Sequence, residues 1–212
     1  MSGLLEGFRN LPSYGVGGLI VLLLYAVQTE VRFGKRARTV FAGPSDRGST
    51  VALSLAAVVP VIGFVLALKA QTAAYHARLP AWLGRAGALP GMPVIAWAGV
   101  GIGVAGLLVR LWAVLALRER YTRTLLVIGH DHLIERGGPY RFVRHPGYLG
   151  SLLCLNGIAL ASGNAPVLAA SLVATLAVYA YRIRVEDAML VDRFGAAYED
   201  YRHQVRALVP FL

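Results

Sequence analysis

The chain has 212 residues, of which 57 % are hydrophobic and 15 % are charged, and its formal net charge is +10. Ordinary soluble domains have about 25 % charged residues, and here the charges lie in short segments between long apolar runs. This segregation excludes an ordinary soluble domain and is typical of a chain that crosses a membrane several times. It also argues against nucleic-acid binding, because the basic residues border apolar runs and do not form one stripe.

Four apolar regions are long enough to cross a bilayer as helices, which takes about 20 residues. They cover about residues 14–31, 50–68, 93–117 and 147–181. The fourth is interrupted at residues 162–166, where Gly, Asn and Pro predict a turn, so we interpret it as a helical hairpin of two short spans. The sequence therefore predicts an all-α, multi-pass membrane helical bundle with about five transmembrane helices and a C-terminal hairpin.

Arginine and lysine residues set the predicted orientation. Segments 32–49, 118–145 and 182–212 are rich in arginine, whereas segment 71–91 contains only Arg78 and Arg85. Because short basic segments stay in the cytoplasm, the N-terminus is predicted to lie outside and the C-terminus in the cytoplasm. The two basic stretches that flank the hairpin are expected to meet on the cytoplasmic side.

Two features made of small residues are predicted to serve helix packing. Gly101 to Gly106 match G-x-G-x-x-G, but a dinucleotide-binding fingerprint needs a βαβ unit, and this match lies in the middle of an apolar helix. Gly99 and Gly103, four residues apart, favour close helix packing. The single cysteine, Cys154, is predicted to be a core residue, and no Cys/His spacing predicts a metal site.

Segment 137–150, with the sequence GGPYRFVRHPGYLG, is the first candidate functional element. It is rich in Gly and Pro and leads into a membrane helix, whose first turn presents free N–H groups and a partial positive charge. Such a helix end can bind a carboxylate or the polar edge of a cofactor. His145 and Tyr148 add hydrogen-bond donors and an aromatic face suited to a cation. The residues alone are equally consistent with an interfacial belt that anchors the helix.

Segment 181–187, with the sequence YRIRVED, lies where the last apolar run ends. Arg182 and Glu186 are four residues apart and share one helix face. Arg182 is suited to bind a carboxylate in bidentate fashion, and Glu186 to accept hydrogen bonds from an amino group. The alternative is a plain salt bridge within the helix, which the residues alone favour.

Two further expectations concern the neighbourhood of these segments. Gly195 is predicted to end the long helix, with Tyr198 and Tyr201 in an interfacial amphipathic segment after it. Arg110, near the end of the third apolar run, is predicted to snorkel to the interface or to form a structural ion pair, in preference to lining a site.

Together, the two segments resemble the isoprenylcysteine carboxyl methyltransferase family. The matching residues are GPYR at 138–141, RHPGYLG at 144–150, RIRVEDAML at 182–190, FGAAY at 194–198, Tyr201, Val205 and Pro210, with RLWA at 110–113 and Tyr121-Thr122 resembling bacterial members. The resemblance covers roughly residues 93–212. It divides the chain into residues 1–91, with the first two transmembrane helices and no family signal, and residues 92–212, a methyltransferase-like catalytic region with transmembrane helices 3–5 and a cytoplasmic tail.

The resemblance implies a membrane enzyme that binds S-adenosylmethionine in a cytoplasm-facing pocket. Its implied catalytic residues are Arg182, facing a substrate carboxylate, and Glu186. The implied cofactor contacts are His132, Leu133, Ile134, Tyr140, His145, Pro146, Gly147, Tyr148 and Glu186. The segment before Tyr140 is one residue longer than usual, so either His130 or His132 matches the family's histidine. The usual Glu-Glu pair is Glu186-Asp187 here.

The implied reaction is methyl transfer to the carboxylate of a lipophilic, prenylcysteine-like acceptor that enters between helices from the bilayer. Membrane lipids are the other predicted partners, and the sequence predicts no oligomeric state. The Arg-rich, Lys-poor composition is typical of a bacterial chain, for which the location would be the inner membrane. The alternatives are a phospholipid or small-lipid methyltransferase, an NADPH-dependent sterol-reductase-like enzyme, and a transporter or structural protein. Charges near the interface favour an enzyme over a transporter.

Overall fold

The computed structural model describes residues 12–30, 46–70, 80–117 and 134–208. Within these ranges the chain forms α-helices and short 3-10 turns and no β-strand, so the all-α prediction is confirmed. In chain order the helices are α1 (Ser13–Glu30), α2 (Ser49–Ala70), α3 (Val94–Leu117), α4 (Pro146–Ala161), α5 (Ala165–Phe194) and α6 (Ala196–Gln204).

Among the described helices, α2, α3 and α5 are long and apolar enough to cross a membrane. Helices α1 and α4 are apolar but shorter, so each predicted span coincides with a helix while the number of crossings stays a prediction. Large apolar side chains cover the outside of the bundle: Leu23 is 63 % exposed, Val51 63 % and Val173 72 %. Such a surface needs lipid around it, and the protein is an integral membrane protein.

The predicted turn between α4 and α5 is confirmed. Gly163 adopts a φ of 64°, in the region that favours glycine. Asn164 caps α5, because its side chain accepts a hydrogen bond from the backbone N–H of Val167 at 3.1 Å. The Asn164 amide also donates to the carbonyl oxygens of Trp82 and Leu83, at 2.9 and 3.0 Å. We call this region the turn end of the hairpin.

Glycines bring α3 and α4 into backbone contact. A Cβ atom added to Gly106 would lie 2.5 Å from the amide nitrogen of Cys154, and one added to Gly99 would lie 2.7 Å from the carbonyl oxygen of Gly157. By contrast, a Cβ at Gly101 would meet nothing within 4 Å. The glycine pattern therefore serves helix packing, as predicted, and Cys154 is a free thiol buried in the core.

The other end of the hairpin, which we call the charged end, comprises residues 144–148 and 182–187. Helix α2 packs along α5 and begins beside this end. Helix α5 continues beyond the apolar run and ends at Gly195, whose φ is 55°, as predicted. Arg110 does not snorkel: it is 8 % exposed, and it turns inward to donate to Ser151 Oγ at 2.7 Å.

Candidate active site

Three segments of the chain meet at the charged end of the hairpin. The loop before α4 lies against the tail after α6: the N–H groups of Arg144 and His145 donate to the carbonyl oxygens of Arg206 and Ala207, at 2.8 and 3.0 Å. The third segment is the C-terminal part of α5, where Asp187 contacts Arg144 and His145. Pairing of two irregular segments therefore places Arg144 and His145 against a helix residue about 40 positions further along the chain.

The loop is shaped by its glycine and proline residues. Gly138 adopts a φ of 54°, and a 3-10 turn follows at Gly138–Arg141 with Pro139 buried. Pro146 opens α4, where a missing N–H carries no penalty. As a result, His145 is held at the helix entrance, in a non-helical conformation with φ −121° and ψ 58°.

A buried carboxylate organises this region. Asp187 is 7 % exposed. Its oxygens interact with His145 Nε2 at 2.9 Å and Arg144 Nη2 at 3.0 Å, and they accept a hydrogen bond from the Tyr198 hydroxyl at 2.5 Å. Together with Glu186, these residues form what we call the charged cluster: Arg144, His145, Glu186, Asp187 and Tyr198. Within it, Asp187 is fully engaged with the protein itself.

Glu186 differs from its neighbour Asp187. Its Oε2 lies 3.5 Å from His145 Nδ1, and its side chain is 23 % exposed. Among the described residues, that buried oxygen has no hydrogen-bond partner. A buried acceptor without a donor is costly, so Glu186 keeps the capacity to accept a hydrogen bond from a bound molecule.

The cluster holds His145 as a cation. Burial alone would lower the pKa of His145, but its contacts with Asp187 and Glu186 outweigh burial and raise that pKa from 6.5 to about 9. At neutral pH the ring is therefore charged, with both nitrogens as donors. Burial, reinforced by the bond to Asp187, also raises the pKa of Tyr198, so its hydroxyl stays protonated and donates.

Tyr148 connects the cluster to Arg182. Its ring stacks on the His145 ring, with centroids 5.4 Å apart and planes 8° from parallel. Its hydroxyl accepts a hydrogen bond from Arg182 Nε at 3.0 Å. A series of contacts therefore links Asp187 through His145 and Tyr148 to Arg182: a polar contact, a ring stack and a hydrogen bond.

Arg182 is held by the start of α2. It is 2 % exposed, and its Nη1 lies 2.7 Å from Asp46 Oδ1, 2.7 Å from Ser49 Oγ and 2.8 Å from Thr50 Oγ1. We call these four residues the arginine clamp. Arg182 was expected to face a substrate carboxylate; in the structure a carboxylate of the protein lies against it.

The structure brings the predicted cofactor residues His145, Tyr148 and Glu186 together: His145 stacks on Tyr148 at the start of α4, and Glu186 faces His145 from α5. Pro146 and Gly147 lie between His145 and Tyr148 in the chain, and Ile134 and Tyr140 lie in the segment before α4. The Tyr140 carbonyl accepts from the Tyr201 hydroxyl at 2.5 Å, which ties this loop to α6. His130, His132 and Leu133 lie outside the described residues.

Sequence reasoning missed four contributors to the site. Arg144 and Tyr198 lay inside the matched motifs without an assigned role, and Asp187 was noted only as a departure from a Glu-Glu pair. Their shared signal is the pairing of adjacent cations, Arg144-His145, with adjacent acids at 186–187. Asp46, the fourth contributor, lies 136 residues from Arg182 and carried no sequence signal.

A basic cavity of about 700 Å³ opens beside Arg144. Except for Glu199, its charged lining is positive, and it shares no residue with the predicted cofactor contacts. Its lining residues are Arg144, Glu199, Arg202, His203, Arg206, Ala207 and Leu208.

Comparison with known proteins agrees with the resemblance predicted from the sequence. Residues 94–197 match the family described as phospholipid methyltransferase. The protein-S-isoprenylcysteine O-methyltransferase of Schizosaccharomyces pombe is 35 % identical over 85 residues, which are 39 % of this chain and 35 % of that protein. The Saccharomyces cerevisiae enzyme of the same name is 30 % identical over 116 residues, or 48 % of each chain. The chain thus spans about half, or less, of the length of these relatives.

A solved structure shares the fold. The structure described as the eukaryotic intramembrane Ras methyltransferase ICMT, an isoprenylcysteine carboxyl methyltransferase, superposes with a TM-score of 0.58 at 24 % identity. The superposition covers 74 % of this chain and 52 % of the other. Residues 94–197, which match the family model, contain the whole charged cluster except Tyr198. The resemblance predicted from the sequence is confirmed: residues 94–197 match the phospholipid methyltransferase family model, and the chain is similar to protein-S-isoprenylcysteine O-methyltransferases.

Proposed function

We propose that the protein transfers the methyl group of S-adenosylmethionine to the carboxylate of a lipophilic, prenylcysteine-like acceptor. The observation that carries this proposal is the open acceptor of Glu186 beside a charged His145 and a stacked Tyr148. The names of the relatives support the choice of reaction. The activity is a proposal because the chain spans only part of their length.

The residues present fit the cofactor. S-adenosylmethionine carries an α-amino group, a carboxylate and a sulfonium cation. The unpartnered Oε2 of Glu186 is suited to accept from the amino group, and the first turn of α4 is suited to a carboxylate. The face of the Tyr140 ring is suited to the sulfonium, and Tyr148 is proposed as a further contact. His132, Leu133 and Ile134 are proposed as further contacts, and Pro146 and Gly147 as the backbone edge.

When bound, S-adenosylmethionine supplies an electrophilic methyl group: the acceptor oxygen–methyl bond forms as the sulfur–methyl bond breaks. A carboxylate is already a nucleophile at neutral pH, so the protein's residues need only position and desolvate the reactants. Arg182 is proposed to orient the acceptor carboxylate. Its guanidinium is fixed by Asp46, Ser49, Thr50 and Tyr148, so the carboxylate would approach beside Asp46.

The acceptor is proposed to enter laterally from the bilayer, since apolar side chains cover the bundle. The charged end is proposed to face the cytoplasm, with the N-terminus outside, because basic residues gather there. Asp200→Cys near the charged end and Trp82→Cys near the turn end, each in a Cys154→Ala background, test this orientation. An impermeant maleimide on intact cells is expected to label only Trp82→Cys; labelling of Asp200→Cys alone would reverse it.

A second acceptor class follows from the matched family, whose description is phospholipid methyltransferase. A phospholipid amine is also lipophilic and would use the same methyl donor. Unlike a carboxylate, an ammonium group must lose a proton before it attacks, and a charged His145 is a poor base. The charge state of the site therefore favours a carboxylate.

The test uses purified protein in detergent with tritium-labelled S-adenosylmethionine. A prenylcysteine analogue with a free carboxylate is expected to become labelled, while the same analogue with a carboxamide is not. Labelling of phosphatidylethanolamine vesicles instead would assign the second class. Thermal stabilisation by NADPH and not by S-adenosylmethionine would contradict both methyl-transfer assignments.

A further inference from the structure

We propose that Asp46 is a positioning residue of the methyl-transfer site: through Arg182, it holds the Tyr148 hydroxyl and ring in place beside His145 and Glu186. This inference rests on the proposed function and deepens it. It also gives a role to the region before residue 94, which the family match does not cover.

The Asp46 side chain is buried and held in place by hydrogen bonds from Ser49 and Thr50. It is 1 % exposed, and its oxygens accept from Ser49 Oγ at 3.0 Å, from the Thr50 N–H at 3.0 Å and from the Thr50 hydroxyl at 2.7 Å. Burial alone would raise the pKa of Asp46, but these bonds and the Arg182 charge outweigh burial and lower it. The carboxylate is therefore ionised and rigidly attached to the first turn of α2.

Arg182 connects Asp46 to Tyr148 in the proposed site. Its Nη1 lies within hydrogen-bond distance of Asp46, just before α2, and of Ser49 and Thr50 in its first turn, while its Nε donates to the Tyr148 hydroxyl at 3.0 Å. Its guanidinium carbon also lies 5.9 Å from the centre of the Tyr148 ring. A guanidinium is planar, so fixing one edge fixes the direction of the other donors. The orientation of Tyr148 is therefore coupled to a helix outside the matched region.

A different role for Asp46 would be to stand in for the acceptor carboxylate and to leave when the acceptor arrives. The geometry favours an anchor. A stand-in would be held mainly by Arg182, whereas Asp46 keeps three bonds to Ser49 and Thr50 that do not involve Arg182. Two hydroxyl groups of the same turn also bind Arg182 directly.

The test compares Asp46→Asn with the matched control Asp192→Asn, an exposed acid on the same helix as Arg182. Asp46→Asn keeps the shape and removes the charge. We expect kcat to fall about 10- to 100-fold, as for a misplaced reacting group, and the Kd for S-adenosylmethionine to rise about 2- to 10-fold, as for one weakened hydrogen bond. The acceptor KM is expected to stay within twofold, and Asp192→Asn to match the wild type.

A stand-in role predicts the reverse result: Asp46→Asn would lower the acceptor KM and leave the Kd for S-adenosylmethionine unchanged. That outcome, or an unchanged kcat and Kd, would overturn the proposal. The proposed function fails separately, if the wild type methylates no acceptor; the cofactor Kd then still tests the positioning role. A wild type that binds no S-adenosylmethionine would remove both.

Removing one charge of a buried ion pair is strongly destabilising, so Asp46→Asn is paired with milder variants. Thr50→Val removes a hydroxyl that contacts both Asp46 and Arg182, and Thr50→Ser retains it. We expect Thr50→Val to lower kcat per folded molecule and Thr50→Ser to restore it. Equal kcat in the two variants, with only a lower Tm for Thr50→Val, would show a merely structural contact and overturn the proposal.

Discussion

The two ends of the α4–α5 hairpin use buried polar side chains in different ways. At the turn end, Asn164 is 1 % exposed, and its side chain bonds to backbone groups of Trp82, Leu83 and Val167. At the charged end, the buried side chains carry full charges and bond mainly to one another. The same two helices therefore join a neutral end that is bonded to the backbone and an ionised end that retains an open acceptor.

This difference suggests separate roles: the turn end stabilises the fold, and the charged end binds a ligand. Neutral side chains bonded to backbone groups stabilise a turn at little desolvation cost. Buried charges cost far more and are retained mostly where they pair or bind something. Glu186 Oε2, which no described residue bonds, makes the charged end the place where a ligand improves the energetics. The comparison predicts that changes at the charged end affect activity most and changes at the turn end affect stability alone.

Glu186→Gln is expected to have the largest effect on ligand binding. The change removes the charge and one acceptor that a cofactor amino group would use, so the Kd for S-adenosylmethionine should rise about 10- to 100-fold, the value of a hydrogen bond to a charged group. Isothermal titration measures this Kd, and Glu199→Gln, an exposed acid on α6, is the control.

Glu186 Oε2 has a 3.5 Å ion pair with His145 but no hydrogen bond from a described residue. Glu186→Gln should therefore lower Tm less than Asp187→Asn, which affects a carboxylate bound by three side chains. If Glu186→Gln binds S-adenosylmethionine with the same Kd as the wild type, Glu186 Oε2 does not contact the cofactor.

Asn164→Ala tests the turn end. The variant loses the α5 cap and the bonds to Trp82 and Leu83, so the protein should lose about 1–3 kcal/mol of stability. The kcat per folded molecule should stay unchanged. Denaturation in detergent measures the loss, and Asn164→Ser, which keeps a capping oxygen, should lie between. A large drop in kcat with an unchanged Tm would break the comparison.

The pH dependence of stability tests the charge state of His145. The folded-state pKa of His145 is raised from 6.5 to about 9, so its contribution is fully present below pH 6.5 and is lost as the pH rises through about 9. Tm should therefore fall from pH 6.5 to 9 more steeply in the wild type than in His145→Gln. His203→Gln on α6 is the control; equal slopes in the wild type and His145→Gln would refute the charged state of His145.

Much of the candidate site was predictable because its residues lie in two short segments. Glu186 and His145 were both expected to contact a cofactor, and the structure brings them within 3.5 Å. The partner of Arg182 was not predictable, since it depends on how α2 packs against α5. The inward turn of Arg110 was not predictable for the same reason: whether an arginine snorkels or turns inward depends on the neighbouring helix, which here offers Ser151.

The sequence by itself determined that this protein is a membrane helical bundle with a C-terminal hairpin. The apolar runs indicate the helices, and the interruption Gly163-Asn164-Ala165-Pro166 indicates the turn. The reason is that bilayer solvation and turn conformation act locally along the chain. Only the tertiary structure decided which charges meet. Asp46 and Arg182 are 136 residues apart in the chain, and Asp46 Oδ1 lies 2.7 Å from Arg182 Nη1. This ion pair forms because α2 packs on α5, and no local sequence pattern encodes that packing.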